Sequence, residues 1–114
     1  MSLSLIPRHI KDVLVLDITG RVTIYDDGLR DTIRQFVSQG ERRIVLNLAG
    51  VPYMDSGGLG QLVTAYTTVL NAGGKLRLLA PAERVRHLLK ITKLDSVFTI
   101  LENEDAISGS SSAA

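Results

Sequence analysis

With 114 residues, 45% of them hydrophobic and 22% charged, the chain has the length and balance of one globular domain and not of a disordered segment. Lys plus Arg exceed Asp plus Glu by only 13 to 12 and Cys is absent, which argues against direct nucleic-acid binding and excludes disulfides, thiolate metal sites and a cysteine nucleophile. No apolar run approaches the roughly 20 residues that span a bilayer, and residues 1–7 lack the basic start of a signal peptide, so a cytoplasmic domain without membrane insertion is expected.

Apolar periodicity alternates between two and 3.6 residues along the chain, the mark of interleaved strands and helices. Leu3, Leu5 and Ile10 flank a first strand interrupted by Pro7, which suits an edge because Pro cannot donate to the ladder. Residues 13–19 form a second strand rich in β-branched side chains, stopped by Gly20, and the polar link Lys11-Asp12 makes the pair a hairpin. Leu29, Ile33, Phe36 and Val37 then recur as one helical stripe; Asp26 and Asp27 suit its amino end and Gly40 its stop.

Residues 43–48 read as a buried central strand, broken by the turn Ala49-Gly50-Val51-Pro52. A longer helix follows, with Leu59, Leu62, Val63, Tyr66, Val69 and Leu70 on its apolar face and Gly73-Gly74 at its end. Residues 75–79 form another strand, and Pro81 opens a third helix at the position where its missing N–H costs nothing. Residues 97–101 form a last strand and residues 103–107 a short final helix, before a flexible Ser/Gly/Ala tail over 108–114. The sum is a single α/β domain over residues 1–107, ordered β-β-α-β-α-β-α-β with an optional final helix. Helical crossovers require a mostly parallel sheet, here of four to five strands.

In open α/β sheets function collects where strands end at their carboxyl side, which points to residues 51–60. Asp55 or Ser56 can serve there as the helix N-cap, with glycines allowing a tight turn. Yet Gly57, Gly58 and Gly60 exceed what one turn requires, and Gly in a first helical turn costs up to about 1 kcal/mol, which suggests close approach of another group. Enzymatic readings fail on spacing. Asp55-Ser56-Gly57-Gly58 resembles a serine-protease nucleophile segment, but the chain has only His9 and His87 and an α/β pattern. Met54 stands where a nucleophile elbow needs Gly, and Gly73-Gly74-Lys75 leads into a strand, unlike a phosphate loop. Two distant His residues give no metal site, and no cofactor is implied. What remains is a serine at a helix entrance beside a carboxylate. Phosphorylation there would add about −1.5 to −2 charges near free helix amides and repel a docked partner.

Ile18-Thr19-Gly20-Arg21, then residues 44–51 and Met54-Asp55-Ser56-Gly57-Gly58-Leu59-Gly60, followed by residues 72–76 and 91–98, together resemble the STAS-domain anti-anti-sigma factors, the bacterial anti-sigma factor antagonists. The resemblance covers residues 14–101. It implies a non-enzymatic binding module that engages an anti-sigma factor serine kinase while Ser56 is unphosphorylated, leaves it once Ser56 is phosphorylated, and is reset by a serine phosphatase. Asp55, Ser56, Gly57, Gly58 and Leu59 would form the docking segment. Arg21, Thr23 and Tyr25 precede the first helix on a loop that is either part of that surface or simply solvated. Gly57 stands where relatives often carry a second Ser, a Thr or an Ala. Asn47 stands where many carry Asp, either tuning the site or satisfying backbone groups. Arg84, Arg86, Lys90 and Lys93 give the third helix a basic face, solvated or complementary to an acidic partner. The alternative reading is a fixed STAS subunit of a lipid transporter or stress-sensing assembly.

Overall fold

The computed structural model describes residues 3–25 and 28–112, Gly109 to Ser112 as backbone alone. Strands β1 (Ser4–Ile10) and β2 (Val13–Thr19) are followed by α1 (Gly28–Ser38), β3 (Arg43–Gly50), α2 (Ser56–Asn71), β4 (Lys75–Leu79), α3 (Glu83–Ile91), β5 (Thr99–Leu101) and α4 (Asp105–Ser112). The five strands lie in one sheet in chain order, β1 antiparallel to β2 and the other pairs parallel. Pro7 sits on the outer strand as its missing donor requires, and Lys11 takes the left-handed conformation (φ 54°) that closes the hairpin.

Because each parallel crossover is right-handed and moves one strand along, α1, α2 and α3 all fall on the same face. There Leu14, Leu16, Ile18, Ile44, Leu46, Leu48 and Leu78 pack against Leu29, Ile33, Leu62, Val69, Val85 and Leu89. The opposite face carries a smaller core of Val13, Val15, Val45, Leu79 and Leu101, covered by Ile107 of α4.

Four boundaries differ from the sequence reading. The central strand runs on to Gly50, because an irregularity between Asp17 and Thr19 lets Gly50 pair with Thr19. A side chain at Gly50 would stand 2.6 Å from Thr19 Cγ2, so the intended breaker is what lets the ladder continue. Pro81 lies before α3 and not in its first turn. Ala80 bends at φ 48° and bonds to Leu101, leaving Ala82 as the cap and Glu83 as the first helical residue. Val97 and Phe98 belong to a 3-10 turn over Leu94–Ser96 and its exit, both donating to the Leu94 carbonyl, so β5 starts only at Thr99. Finally, helix α4 reaches Ser112, into the segment read as a tail; Ile107, fully buried, and the Arg8–Glu104 ion pair (2.7 Å) anchor its amino end. The capping role expected of Asp26 and Asp27 lies outside the described residues.

Candidate functional site

The turn between β3 and α2 is built around one carboxylate. Asp55, not Ser56, is the N-cap: its backbone is extended and its Oδ1 accepts the Gly58 amide at 2.8 Å. Its other oxygen, Oδ2, accepts the amide of Ile24 at 3.3 Å, so the same side chain holds the loop that follows β2. That loop is joined to the turn at several further points. Val22 pairs with Met54, its amide bonds to the Tyr53 carbonyl at 3.1 Å, and Gln61 Nε2 donates to Thr23 O at 2.8 Å.

This lacing explains two of the three glycines. A Cβ on Gly58 would run into the Val22 carbonyl, and one on Gly57 into the backbone and side chain of Ile24. The group whose close approach the glycines permit is therefore the chain's own loop. Gly60 is different: a Cβ there would meet nothing within 4 Å among the described residues, so no contact among them offsets its helix penalty.

Ser56 is the first residue of α2 and is exposed, and its hydroxyl has no hydrogen-bond partner among the described residues. At this position the amides of Ser56 and Gly57 have no acceptor within the helix and carry the positive end of its dipole. In the loop laced to this turn, Ile24 is 66% exposed and Tyr25 95% exposed. A cavity of about 260 Å³ lies between Ile24, Arg30, Gly57, Gly60, Gln61 and Thr64. Ile24, Gly60 and Gln61 were not singled out as contact residues from sequence, although an Ile-Tyr pair in a loop between strand and helix is an apolar signal where polar residues are usual.

The residues expected to form the docking segment divide into two groups. Ser56, Gly57 and Tyr25 reach the surface, whereas Gly58 and Leu59 are buried and shape the turn from below. Thr23 supports the loop, its Oγ1 accepting the Tyr25 amide at 3.3 Å. Arg21 stacks on Tyr53, its guanidinium 4.5 Å from the ring centroid. On the basic face of α3, Arg84, Arg86 and Lys90 line an open groove with His87, Tyr53 and Met54, and Arg86 is also held by Glu102 at 3.0 and 3.2 Å. His9 bonds to Glu41 at 2.8 Å.

Asn47 has a structural partner. Its Nδ2 donates to Asp17 Oδ1 at 2.8 Å and its Oδ1 accepts the Ala49 amide at 3.1 Å. Asp17 also receives both arms of Arg8, at 2.7 and 3.1 Å. The guanidinium, chiefly through these hydrogen bonds, holds the Asp17 carboxyl below the usual range, with Asn47 adding in the same direction against the opposing effect of burial. Asp17 and Asn47 alternate out of the main core onto the α4 face.

A sequentially ordered mixed sheet with its longest helix capped by an Asp beside an exposed Ser defines a STAS-type domain, and the family model for the STAS domain matches residues 4–107. The anti-sigma-B factor antagonist of Bacillus subtilis (strain 168) is 31% identical over 102 residues, spanning 88% of this chain and 92% of that protein. An anti-sigma factor antagonist from Mycobacterium paratuberculosis superposes with a TM-score of 0.83 at 21% identity, covering 96% of this chain and 93% of that one. The phosphorylated form of the Bacillus cell fate determinant SpoIIAA superposes at 0.71 with 20% identity, covering 92% and 97%. The chain belongs to the STAS family, among the anti-sigma factor antagonists. No helix among the described residues is long and apolar enough to cross a membrane.

Proposed function

We propose that this protein is an anti-sigma factor antagonist acting as a phosphorylation-controlled binding module in the cytoplasm, and not as an enzyme. It docks an anti-sigma factor serine kinase through the surface formed by Ile24, Tyr25, Gly57 and Gly60 around Ser56. Phosphorylation of Ser56 by that kinase ends the complex, and a serine phosphatase restores it. The observation that carries this reading is Ser56 itself: exposed at the first position of α2, its hydroxyl without a hydrogen-bond partner among the described residues, in a turn laced to the loop that carries exposed Ile24 and Tyr25. A solved fold neighbour in a phosphorylated form supports the same chemistry.

The geometry favours release by charge. A phosphate on Ser56 meets unpaired first-turn amides, so the domain can hold it without refolding. A partner packed on Ile24 and Tyr25 would instead have to bury a near-dianion beside the Asp55 carboxylate, with a desolvation and repulsion cost of several kcal/mol. The test is affinity capture from native lysate with wild type, Ser56→Ala and Ser56→Asp as baits, with phosphate mapped by mass spectrometry. An ATP-binding kinase held by Ser56→Ala but not by Ser56→Asp, with phosphate on Ser56 of the wild type, is the expected result. Equal capture by all three with no phosphate would overturn it and favour a fixed subunit.

A further inference from the structure

Helix α3 buries Val85 and Leu89 in the core and carries a second stripe, Arg84, His87, Leu88 and Ile91, at the i, i+3, i+4, i+7 spacing of one helical face. With Tyr53 and Met54 of the turn before α2, that stripe lines an open groove of about 710 Å³. Its lining runs from Glu83 to Ile91, the whole length of the helix. Met54 is buried and Tyr53 and Leu88 are half-buried, yet Ile91 at the far end is 63% exposed.

Around this apolar lining the charge is positive. Arg84, Arg86 and Lys90 stand against one carboxylate, Glu83, and Arg21 adds a guanidinium 4.5 Å from the Tyr53 ring centroid. Glu102, from outside the groove, holds Arg86, whereas Arg21, Arg84 and Lys90 have no carboxylate partner among the described residues. Lys90 in the last turn complements the helix dipole, as Glu83 does in the first, but Arg84 also lies in the first turn, where a cation is unfavourable. An unpaired cation at one end of the groove and an exposed apolar side chain at the other are both relieved by an occupant with carboxylates flanking an apolar ridge. A second copy of this chain, placed symmetrically, would instead set cation against cation. The chain's own acidic stretch is engaged elsewhere, Glu102 with Arg86 and Glu104 with Arg8.

We infer that the groove along α3 docks an acidic amphipathic helix of a partner protein, its apolar ridge on Tyr53, Met54, Leu88 and Ile91 and its carboxylates at Arg84, Lys90 and Arg21. The nine residues of α3 span about 13 Å, which accommodates roughly two to three turns of such a helix. The groove meets the Ser56 turn at Tyr53 and Met54, and its chemistry does not involve the Ser56 hydroxyl. The test is a titration of isotope-labelled protein with a synthetic amphipathic peptide of about 12 residues, roughly three turns, with Leu on one face and Glu on the flanks. Two controls accompany it, the same peptide with Lys in place of Glu and a scrambled sequence of the acidic composition. Saturating amide shifts at Tyr53, Met54 and residues 84–91 are expected, with the acidic peptide at least about tenfold tighter than either control and weakened by salt. Arg84→Glu should leave Tm unchanged or raised, because a carboxylate suits the first turn, and yet weaken the peptide about fivefold or more. Lys90→Glu and Ile91→Ser should weaken it as well, while Lys75→Gln, an exposed charge outside the groove, should not. No saturable shift, shifts centred elsewhere, equal binding of either control, or no effect of Arg84→Glu would overturn the assignment. So would binding to vesicles of anionic phospholipid without a response to the peptide, which would make α3 a membrane-facing surface. Self-association in sedimentation that Lys90→Glu abolishes would overturn it in favour of a second copy of the chain.

Discussion

Gly58 and Gly60 are two residues apart in the same helix, yet alanine should act on them in opposite directions. At Gly60 the added Cβ meets nothing within 4 Å among the described residues, so only the helix propensity changes, a gain of up to about 1 kcal/mol. At Gly58 the same methyl group runs into the Val22 carbonyl and stands 2.7 Å from its carbon, both backbone atoms that cannot rotate away. Relief requires the loop to back off from the turn. That movement strains the 3.3 Å bond from the Asp55 amide to Val22 O and the 2.8 Å cap bond from Gly58 N to Asp55. Overpacking costs of about 1–3 kcal/mol plus about 1 for a weakened cap, less the propensity gain, leave a net loss of about 2 kcal/mol. The two variants should therefore differ by about 3 kcal/mol, or about 12 °C in Tm at roughly 4 °C per kcal/mol for a domain of this size. Differential scanning calorimetry and urea titration of the pair read this directly. If the proposed docking surface is right, partner binding separates them again: Gly60→Ala should be the more stable protein but bind more weakly, because its methyl group would occupy that surface. A Gly58→Ala protein as stable as wild type, or a Gly60→Ala protein less stable, would refute the account of the turn.

Asn47→Asp would set a second carboxylate where Asn47 Nδ2 now lies 2.8 Å from Asp17, and should cost about 1–2 kcal/mol at neutral pH by urea titration, with the loss shrinking as the pair is protonated in acid. The lowered pKa of Asp17 makes its contribution present above the unfolded carboxyl value of 3.8 and lost as pH falls through the folded value, so Asp17→Asn should flatten the stability–pH curve below about pH 4. Asp55→Ala removes the acceptor of both Gly58 N and Ile24 N; a loss of about 1–2 kcal/mol is expected, with faster amide exchange at both residues, while Asp55→Asn retains most of the cap. Tyr25→Ala, at a 95% exposed position, should leave Tm within about 1 °C and weaken partner capture; unchanged capture would exclude Tyr25 from the interface.

The sequence was most informative where one periodicity dominated. Residues 13–19 and 75–79 carry their strand signal locally, and the observed β2 and β4 have those bounds. It was least informative where a boundary depends on a residue far away. Gly50 looks like a stop until Thr19 is seen beside it, and Pro81 looks like a helix start until the Ala80 bond to Leu101 fixes the chain ahead of it. The Ser56 turn was legible as a location, because a Gly-rich segment after a buried strand is rare. Its internal logic was not: Gly57 and Gly58 answer to Ile24 and Val22, more than 30 positions earlier, and neither loop residue advertises that contact. The exposure of Ile24 and the burial of Leu59 and Gly58 were likewise not legible from their own positions in the chain. Asn47 likewise acquired a role only when β2 and β3 placed Asp17 across from it.

The order of the strands in space is the order in which the chain is made. No strand has to slip between two that are already joined, so an emerging polypeptide can lengthen the sheet one edge at a time, hairpin first. Each added parallel strand arrives with the helix that roofs the junction it creates. At every stage before the last, however, the newest strand presents unpaired backbone groups to its surroundings. The cover for β4 is only the three residues of β5, so its open edge persists in synthesis until Thr99 to Leu101 have emerged to pair with Arg77 to Leu79.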